Sequence, residues 1–145
     1  MRSVVIGGGP AGLYYGILTR KRDPTHEVVI YERNRAGDTF GWGVVFSDAT
    51  LGTLEAADAE SYREIKASFA YWSDIDVFLE DQHVRSTGHG FCGLKRVQLL
   101  DILERRAIAL GVQVVHEVDV DDLDALTAGA DFVLAADGVN SRVRN

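Results

Sequence analysis

The stretch that decides the fold is Ser3-Val4-Val5-Ile6-Gly7-Gly8-Gly9-Pro10-Ala11-Gly12. Residues 3–6 form a largely β-branched apolar run, which is typical of a buried strand, and Gly7 ends it. Pro10 falls where the first residue of a helix is expected, because its fixed φ suits that position and its missing N–H is not needed there. A second apolar run over residues 27–31 follows. The opening therefore predicts a β–α–β unit with parallel strands.

The glycines of this stretch have the spacing G-x-G-x-x-G. Gly7 permits a tight turn after the strand, Gly9 lets the backbone approach a pyrophosphate, and Gly12 allows close packing of helix on strand. A pyrophosphate would lie at the positive end of the helix, beside Pro10 and Ala11. A glycine-rich turn without a ligand is the alternative, but the strand before the loop and the helix after it favour a dinucleotide site.

Glu32 lies at the end of the predicted second strand, 20 residues past Gly12. A carboxylate there can accept hydrogen bonds from the ribose hydroxyls of an adenosine. Its charge also repels the 2′-phosphate of NADP. These motifs predict a bound dinucleotide and leave FAD and NAD open.

The rest of the chain predicts an α/β domain with a Rossmann-like parallel sheet, flanking helices and a small antiparallel excursion. We expect a loop over 34–43, a helix starting near Ser47 and Asp48, antiparallel strands within 69–94, a long helix over 96–110 and a strand over 112–116. A short helix is expected from residue 121, and residues 132–136 predict a last buried strand.

Composition limits the class of protein. The 145 residues, 46% of them hydrophobic, suit one globular domain. The formal net charge of −7 argues against non-specific binding of nucleic acid. No run of residues is typical of a membrane span or a signal peptide. The single cysteine, Cys92, cannot form an internal disulfide, so we expect a reducing, cytoplasmic location.

The other end of the chain decides between FAD and NAD. The segment Asp137-Gly138-Val139-Asn140-Ser141-Arg142-Val143-Arg144 resembles the D-G-x-x-S-x-x-R segment of the FAD-dependent aromatic-ring monooxygenases, flavoprotein hydroxylases of the p-hydroxybenzoate hydroxylase type. The pair Glu32-Arg33 and the pattern Arg96-x-x-Leu99-x-x-x-Leu103 resemble two further motifs of that family. The resemblance extends over the whole chain, with the motifs at corresponding positions.

A narrower resemblance rests on two segments. Residues 38–47 (Asp-Thr-Phe-Gly-Trp-Gly-Val-Val-Phe-Ser) and 89–93 (His-Gly-Phe-Cys-Gly) are similar to the salicylyl-CoA 5-hydroxylase and 2-aminobenzoyl-CoA monooxygenase group. The family implies hydroxylation of an aromatic substrate with FAD as cofactor, NADH or NADPH as reductant, and O2. The narrower group implies an aryl-CoA thioester as one form of that substrate.

The resemblance also implies the cofactor-binding residues. The FAD pyrophosphate would be cradled by Gly7, Gly9, Pro10, Ala11 and Gly12. Glu32 would hold the adenosine ribose, Arg33 would lie beside the adenine, and Arg96 would reach toward the ribose or phosphate. Asp137 would contact the pyrophosphate–ribose region, and Gly43 to Val45 would run close to the flavin ring. No side chain is assigned as a covalent catalyst, and no metal site is expected.

Several of these residues have plainer alternatives. Arg96 could be a solvated residue of a first helical turn, and Asp137 a turn former before Gly138. Trp42 could pack on the core or wall the flavin pocket; many family members have an arginine in this loop, and its role is not transferred to Trp42. Structural roles are expected for the two histidines and the cysteine of the excursion, and a solvated face for the aspartates: His83, His89, Cys92, Asp119, Asp121, Asp122 and Asp124.

Members of the family continue through a substrate-binding sheet and a later Gly-Asp motif, and neither occurs in this sequence. Residues 1–145 are therefore predicted to be the N-terminal portion of an FAD-binding domain, inactive without the rest of the oxidoreductase. The alternatives are a non-catalytic nucleotide-binding module, or another flavoprotein of the same fold such as a halogenase or a reductase.

Overall fold

The computed structural model describes residues 1–46 and 48–144, so the helix start predicted at Ser47 and the terminal Asn145 lie outside the described residues. The strands are β1 (Arg2–Ile6), β2 (Glu27–Tyr31), β3 (Gly43–Phe46), β4 (Ala70–Trp72), β5 (Ile75–Leu79), β6 (Gln82–Ser86), β7 (Phe91–Lys95), β8 (Gln113–Val115) and β9 (Phe132–Ala135). The helices are α1 (Pro10–Arg22), α2 (Asp48–Ala57), α3 (Ala59–Ala67), α4 (Arg96–Ala109) and α5 (Leu123–Thr127). The chain divides into two compact units, Met1–Phe40 with Val97–Asn145 and Gly41–Arg96.

The first unit is built on a parallel sheet with the strand order β8-β2-β1-β9. Every neighbouring pair in it is parallel, with Val4 opposite Val29 and Val133 in the register. The core is formed by apolar side chains of β1, β2, α1 and α4 that are at most 5% exposed, namely Val4, Val5, Ile6, Leu13, Ile17, Val28, Ile30, Leu99, Ile102, Leu103 and Ala107. The predicted α/β class, with its parallel sheet and flanking helices, is confirmed.

A strand forms within residues 132–136 as predicted, but the prediction that this strand is buried is wrong. In β9, Phe132 is 44% exposed and Val133 is 39% exposed. The strand lies at the edge of the sheet, where β1 is its one neighbour among the described residues. An apolar run of this length is equally compatible with an edge strand and a central strand, so the sequence could not separate the two.

The second unit carries the antiparallel strands that the sequence predicts within 69–94. Strands β5 and β6 form a hairpin with Val77 opposite Val84, and β3, β7 and β4 form a three-stranded sheet. The sequence did not predict α3, whose N-cap is the buried Asp58; the Asp58 carboxylate accepts hydrogen bonds from the backbone N–H and the hydroxyl of Ser61. Among the described residues, no helix combines the length and apolar character that crossing a membrane requires.

Two glycines of the opening loop are expected to differ sharply in their tolerance of a side chain. A Cβ added at Gly12 would lie 2.1 Å from the Gly7 carbonyl oxygen, whereas one at Gly9 would have nothing within 4 Å. We expect Gly12→Ala to lower the free energy of unfolding by about 2–3 kcal/mol, because backbone atoms must move to make room. Gly9→Ala should cost less than about 1 kcal/mol, the usual range for an N-cap change.

Urea unfolding of the two variants, followed by circular dichroism, tests this expectation, and each serves as the other's control. Equal stability of the two variants would contradict the close packing of helix α1 on strand β1.

Candidate functional site

The parallel sheet brings four residues to one edge, three predicted from the sequence and one found in the structure. Gly7 follows β1, Glu32 follows β2 and His116 follows β8 directly, while Asp137 lies two residues past the end of β9. Because the strands are parallel, their carboxyl ends meet at the same edge, which is where open α/β sheets bind ligands. The first unit therefore holds a candidate site at this edge.

The glycine loop is folded tightly against the sheet. Gly7 has a φ of +109°, and a Cβ there would lie 2.5 Å from the carbonyl oxygen of Ala136. The middle glycine, Gly8, was not predicted as a site residue; a Cβ on it would lie 2.9 Å from the Cβ of Glu32. Only Gly9 faces open space among the glycines of this loop. The loop is thus closed on the side of the sheet and open at the start of the helix.

Helix α1 presents an uncapped positive end at that opening. Its N-cap is Gly9, which has no side chain to accept a hydrogen bond, and Pro10 occupies the first turn with no acidic residue beside it. The first backbone N–H groups of a helix have no acceptor within the helix, and the helix dipole adds a partial positive charge. Ala11 is exposed and Gly12 is buried. An anion is the natural ligand of such an end.

The Glu32 carboxylate is anchored beside this opening. Its Oε2 accepts a hydrogen bond of 2.7 Å from the Gly8 N–H. Its Oε1 accepts from the backbone N–H of Asn34 at 2.8 Å and from the Asn34 side-chain amide at 2.6 Å. Since each carboxylate oxygen can accept two hydrogen bonds, Glu32 keeps accepting capacity for a ligand hydroxyl. Its neighbour Arg33 is exposed.

Asp137 organises the turn that follows β9. Its Oδ2 accepts hydrogen bonds from the backbone N–H groups of Arg142 at 2.7 Å and Val143 at 3.3 Å. Partial burial acts to raise the pKa of Asp137, but hydrogen bonds from the Ser141 hydroxyl and these amides outweigh it and hold the pKa below its ordinary value of 3.8. Arg144 donates from its backbone N–H to the Ser141 hydroxyl. The residues of the D-G-x-x-S-x-x-R segment thus hold one another in a single turn.

The remaining predicted residues belong to the second unit. Gly43 pairs with Lys95, and Val45 is 58% exposed. The Arg96 N–H donates to the Trp42 carbonyl at 3.2 Å. The Nε of Arg96 is buried and has no hydrogen-bond partner among the described residues, which fits an acceptor group on a ligand. Trp42 is 96% exposed, so the alternative in which it packs on the core does not apply to this structure.

The histidines and the cysteine of the excursion have protein partners. His83 Nε2 lies 2.7 Å from Asp76 Oδ1, and His89 Nε2 lies 2.6 Å from the Ser86 hydroxyl. Cys92 is buried, with its sulfur 3.8 Å from the Phe46 carbonyl oxygen. Within the part of the chain that the structure describes, no three potential ligands gather as a metal ion would require.

Sequence reasoning missed Asn34 and His116. Asn34 holds Glu32 through two hydrogen bonds, and His116 Nδ1 lies 3.2 Å from the Asn34 carbonyl oxygen. The signal for both was positional. His116 ends the predicted strand over 112–116 and Asn34 lies three residues past the predicted strand over 27–31, at the edge where ligands bind.

No family model matches the chain. The chain is 42% identical over 144 residues to a salicyloyl-CoA 5-hydroxylase of Streptomyces sp, and the match covers 99% of this chain and 28% of that relative. It is 27% identical to a 3-hydroxy-4-methyl-anthranilyl-(aryl-carrier protein) 5-monooxygenase of Streptosporangium sibiricum, over 99% of this chain and 40% of the relative. It is 29% identical to the FAD-dependent monooxygenase pigN of Monascus ruber, over 97% and 38%.

Solved structures share the fold. The crystal structure of FqzB matches with a TM-score of 0.79 and 22% identity, over 99% of this chain and 37% of that one. The crystal structure of CtdE in complex with FAD matches with a TM-score of 0.76 and 22% identity, over 100% and 40%. The chain spans less than half the length of each of these relatives. The predicted resemblance is confirmed: along nearly its whole length, this chain is similar to one part of proteins named as FAD-dependent monooxygenases and aromatic hydroxylases.

Proposed function

We propose that this chain forms the adenosine and pyrophosphate side of the FAD site of an FAD-dependent monooxygenase that hydroxylates an aromatic substrate. The observation that carries the proposal is the open, uncapped start of helix α1 at Gly9, with the Glu32 carboxylate anchored beside it. A loop without a ligand would need neither an approach path at Gly9 nor a carboxylate anchored beside it.

The pyrophosphate would bind at the start of α1. Gly7, Gly9, Pro10, Ala11 and Gly12 form the turn and the first helical residues. The backbone N–H groups of this first turn would donate to phosphate oxygens, and the open space at Gly9 lets the phosphate approach the main chain. The helix dipole favours the negative charge by about 0.3–1 kcal/mol.

The ribose of the adenosine would bind to Glu32. Hydrogen bonds from Gly8 and Asn34 hold the carboxylate in place, so a ribose hydroxyl meets an acceptor that does not have to be ordered on binding. Arg33 would lie beside the adenine, where its planar guanidinium can stack on a ring. A 2′-phosphate at Glu32 would be repelled, which favours FAD or NAD over NADP at this site.

The other predicted residues have supporting roles in the proposal. Asp137 would act near the pyrophosphate and ribose through the turn that it organises. The buried Nε of Arg96 would find its acceptor on the cofactor, and Gly43 and Val45 would lie near the flavin ring. Residues 1–145 are then the N-terminal portion of one FAD-binding domain.

When bound, FAD supplies the redox and oxygen chemistry, while the protein supplies binding, orientation and exclusion of water. We propose NADH or NADPH as the reductant and O2 as the oxidant. An aromatic substrate is supported by the names of the relatives, and a CoA thioester of it by the salicyloyl-CoA hydroxylase in particular. Because the chain spans 28% of that relative, the complete reaction is proposed for a protein that also contains the parts not matched here.

The proposal predicts that the chain binds FAD and that Gly9→Val and Glu32→Ala weaken this binding. The valine side chain would fill the approach path of the pyrophosphate, and the alanine would remove the ribose acceptor. A charge-assisted hydrogen bond is worth about 1.5–3 kcal/mol, so Glu32→Ala should raise the Kd for FAD by about tenfold to a hundredfold. Flavin fluorescence titration measures the Kd.

Two controls accompany this titration. Glu27→Ala changes an exposed glutamate at the opposite end of the same strand and should leave the Kd for FAD unchanged. NAD is titrated in parallel. Tighter binding of NAD than of FAD, or no FAD binding by a chain that circular dichroism shows to be folded, would contradict the proposal.

Asp137 gives a separate prediction about pH. Because its pKa is lowered by folding, its contribution to stability is present above about pH 4 and is lost as the pH falls through the lowered value. Asp137→Asn should therefore cost about 1 kcal/mol of unfolding free energy at pH 7 and progressively less below pH 4. Asp38→Asn, at an exposed loop position, is the matched control. A cost for Asp137→Asn that stays constant from pH 7 to pH 3 would show that the charge is not what holds the turn.

A further inference from the structure

His116 stands at the end of β8 in a position that the cofactor site as described does not explain. Its Nε2 lies 2.7 Å from Glu104 Oε1 on α4, and its Nδ1 lies 3.2 Å from the Asn34 carbonyl oxygen. Its side chain is 21% exposed and that of Glu104 is 23% exposed, so the pair is largely shielded from water. An imidazole with one oxygen acceptor at each ring nitrogen is fully satisfied only when both nitrogens carry a proton.

The backbone after β8 is shaped to make this contact. Glu117 has a φ of +59°, in the left-handed region that residues other than glycine rarely adopt. Its N–H donates to the Asn34 carbonyl oxygen at 3.2 Å, the same oxygen that faces His116. Local backbone strain of this kind persists where surrounding contacts hold it in place.

A continuous series of hydrogen bonds leads from this histidine to the glycine loop. Asn34 donates from its backbone and its side chain to Glu32 Oε1, and Glu32 Oε2 accepts from Gly8. Glu104, His116, Asn34, Glu32 and Gly8 are therefore linked one after another, and all of them lie within the first unit.

We propose that His116, paired with Glu104, is a positioning residue of the adenosine side of the site: it holds Asn34, and through Asn34 the Glu32 carboxylate, so that FAD affinity depends on the protonation of His116. The inference rests on the proposed role of Glu32 in binding the ribose. Loss of the second proton of His116 removes one of its two donated hydrogen bonds and loosens the support of Glu32.

The charges around His116 favour the cation. Partial burial lowers the pKa of His116, but the hydrogen bond and charge of Glu104, the Asn34 carbonyl and the Glu32 carboxylate outweigh burial and raise the pKa above its ordinary value of 6.5. The neighbouring Glu117 is exposed and paired with Arg35 at 3.2 Å. The proton is thus held below the raised pKa and released as the pH rises through it.

The test is the pH profile of the Kd for FAD, measured by flavin fluorescence from pH 5.5 to pH 9. In the wild-type chain we expect the Kd to rise about fivefold as the pH passes the pKa of His116, the lower end of typical coupling between two sites. His116→Gln should remove this rise. Glu104→Gln should move its midpoint to lower pH, because the partner that favours the cation has lost its charge.

Two further variants separate positioning from a general effect of charge. His83→Gln removes a histidine that also pairs with a carboxylate, Asp76, but in the exposed hairpin of the second unit; it should keep the wild-type profile. Asn34→Ala keeps the backbone carbonyl that His116 contacts but removes one of the two hydrogen bonds to Glu32, so it should reduce the rise. Circular dichroism at each pH confirms folding, and Glu104→Gln carries the test if His116→Gln does not fold.

The outcomes distinguish the role of His116 from the FAD site itself. A wild-type chain that binds FAD with a Kd independent of pH, or a His116→Gln variant with the wild-type profile, would overturn the role of His116 and leave the FAD site standing. A folded wild-type chain that binds no FAD would overturn both.

Discussion

The contact between Gly12 and the carbonyl oxygen of Gly7 is the constraint on which the candidate site depends. A Cβ at Gly12 would lie 2.1 Å from that oxygen, so any other residue would push helix α1 away from the end of β1. With glycine there, the helix begins directly over the carboxyl edge of the sheet. Its positive end then faces the place where Glu32 and Asp137 follow their own strands.

The start of α1 lets the proposed site bind a phosphate through main-chain groups. The main-chain N–H groups of α1 would serve a phosphate there, and they add no side chain that must be ordered on binding. The ribose side of the proposed site would depend on the Glu32 side chain instead, since a ribose hydroxyl needs a strong acceptor. Its cost of ordering is met within the fold, because three donated hydrogen bonds from Gly8 and Asn34 fix both carboxylate oxygens.

The sequence predicted the parallel sheet, the glycine loop and Glu32 because these depend on local residue types. Local structure can be predicted from a β-branched run, a proline at the first helical position and glycines at fixed spacing, without knowledge of distant contacts. Other features depend on contacts between distant residues. The exposure of Phe132 follows from the place of β9 in the sheet order, and the link between His116 and Asn34 joins residues 82 positions apart. No short-range pattern contains that information.

Asp137 shows how a resemblance and a structure constrain each other. The resemblance assigns the D-G-x-x-S-x-x-R segment to cofactor binding, while the hydrogen bonds show Asp137 holding the backbone of Arg142 and Val143. The two roles are compatible, since the carboxylate stays ionised and its other oxygen can reach a water or a hydroxyl. Glu32 is likewise held by backbone N–H groups, those of Gly8 and Asn34, and its Oε2, which accepts one hydrogen bond, keeps accepting capacity. Both carboxylates are fixed by the fold after β2 and β9, the two strands that flank β1, and a ligand at this edge would meet acceptors whose orientation is already determined.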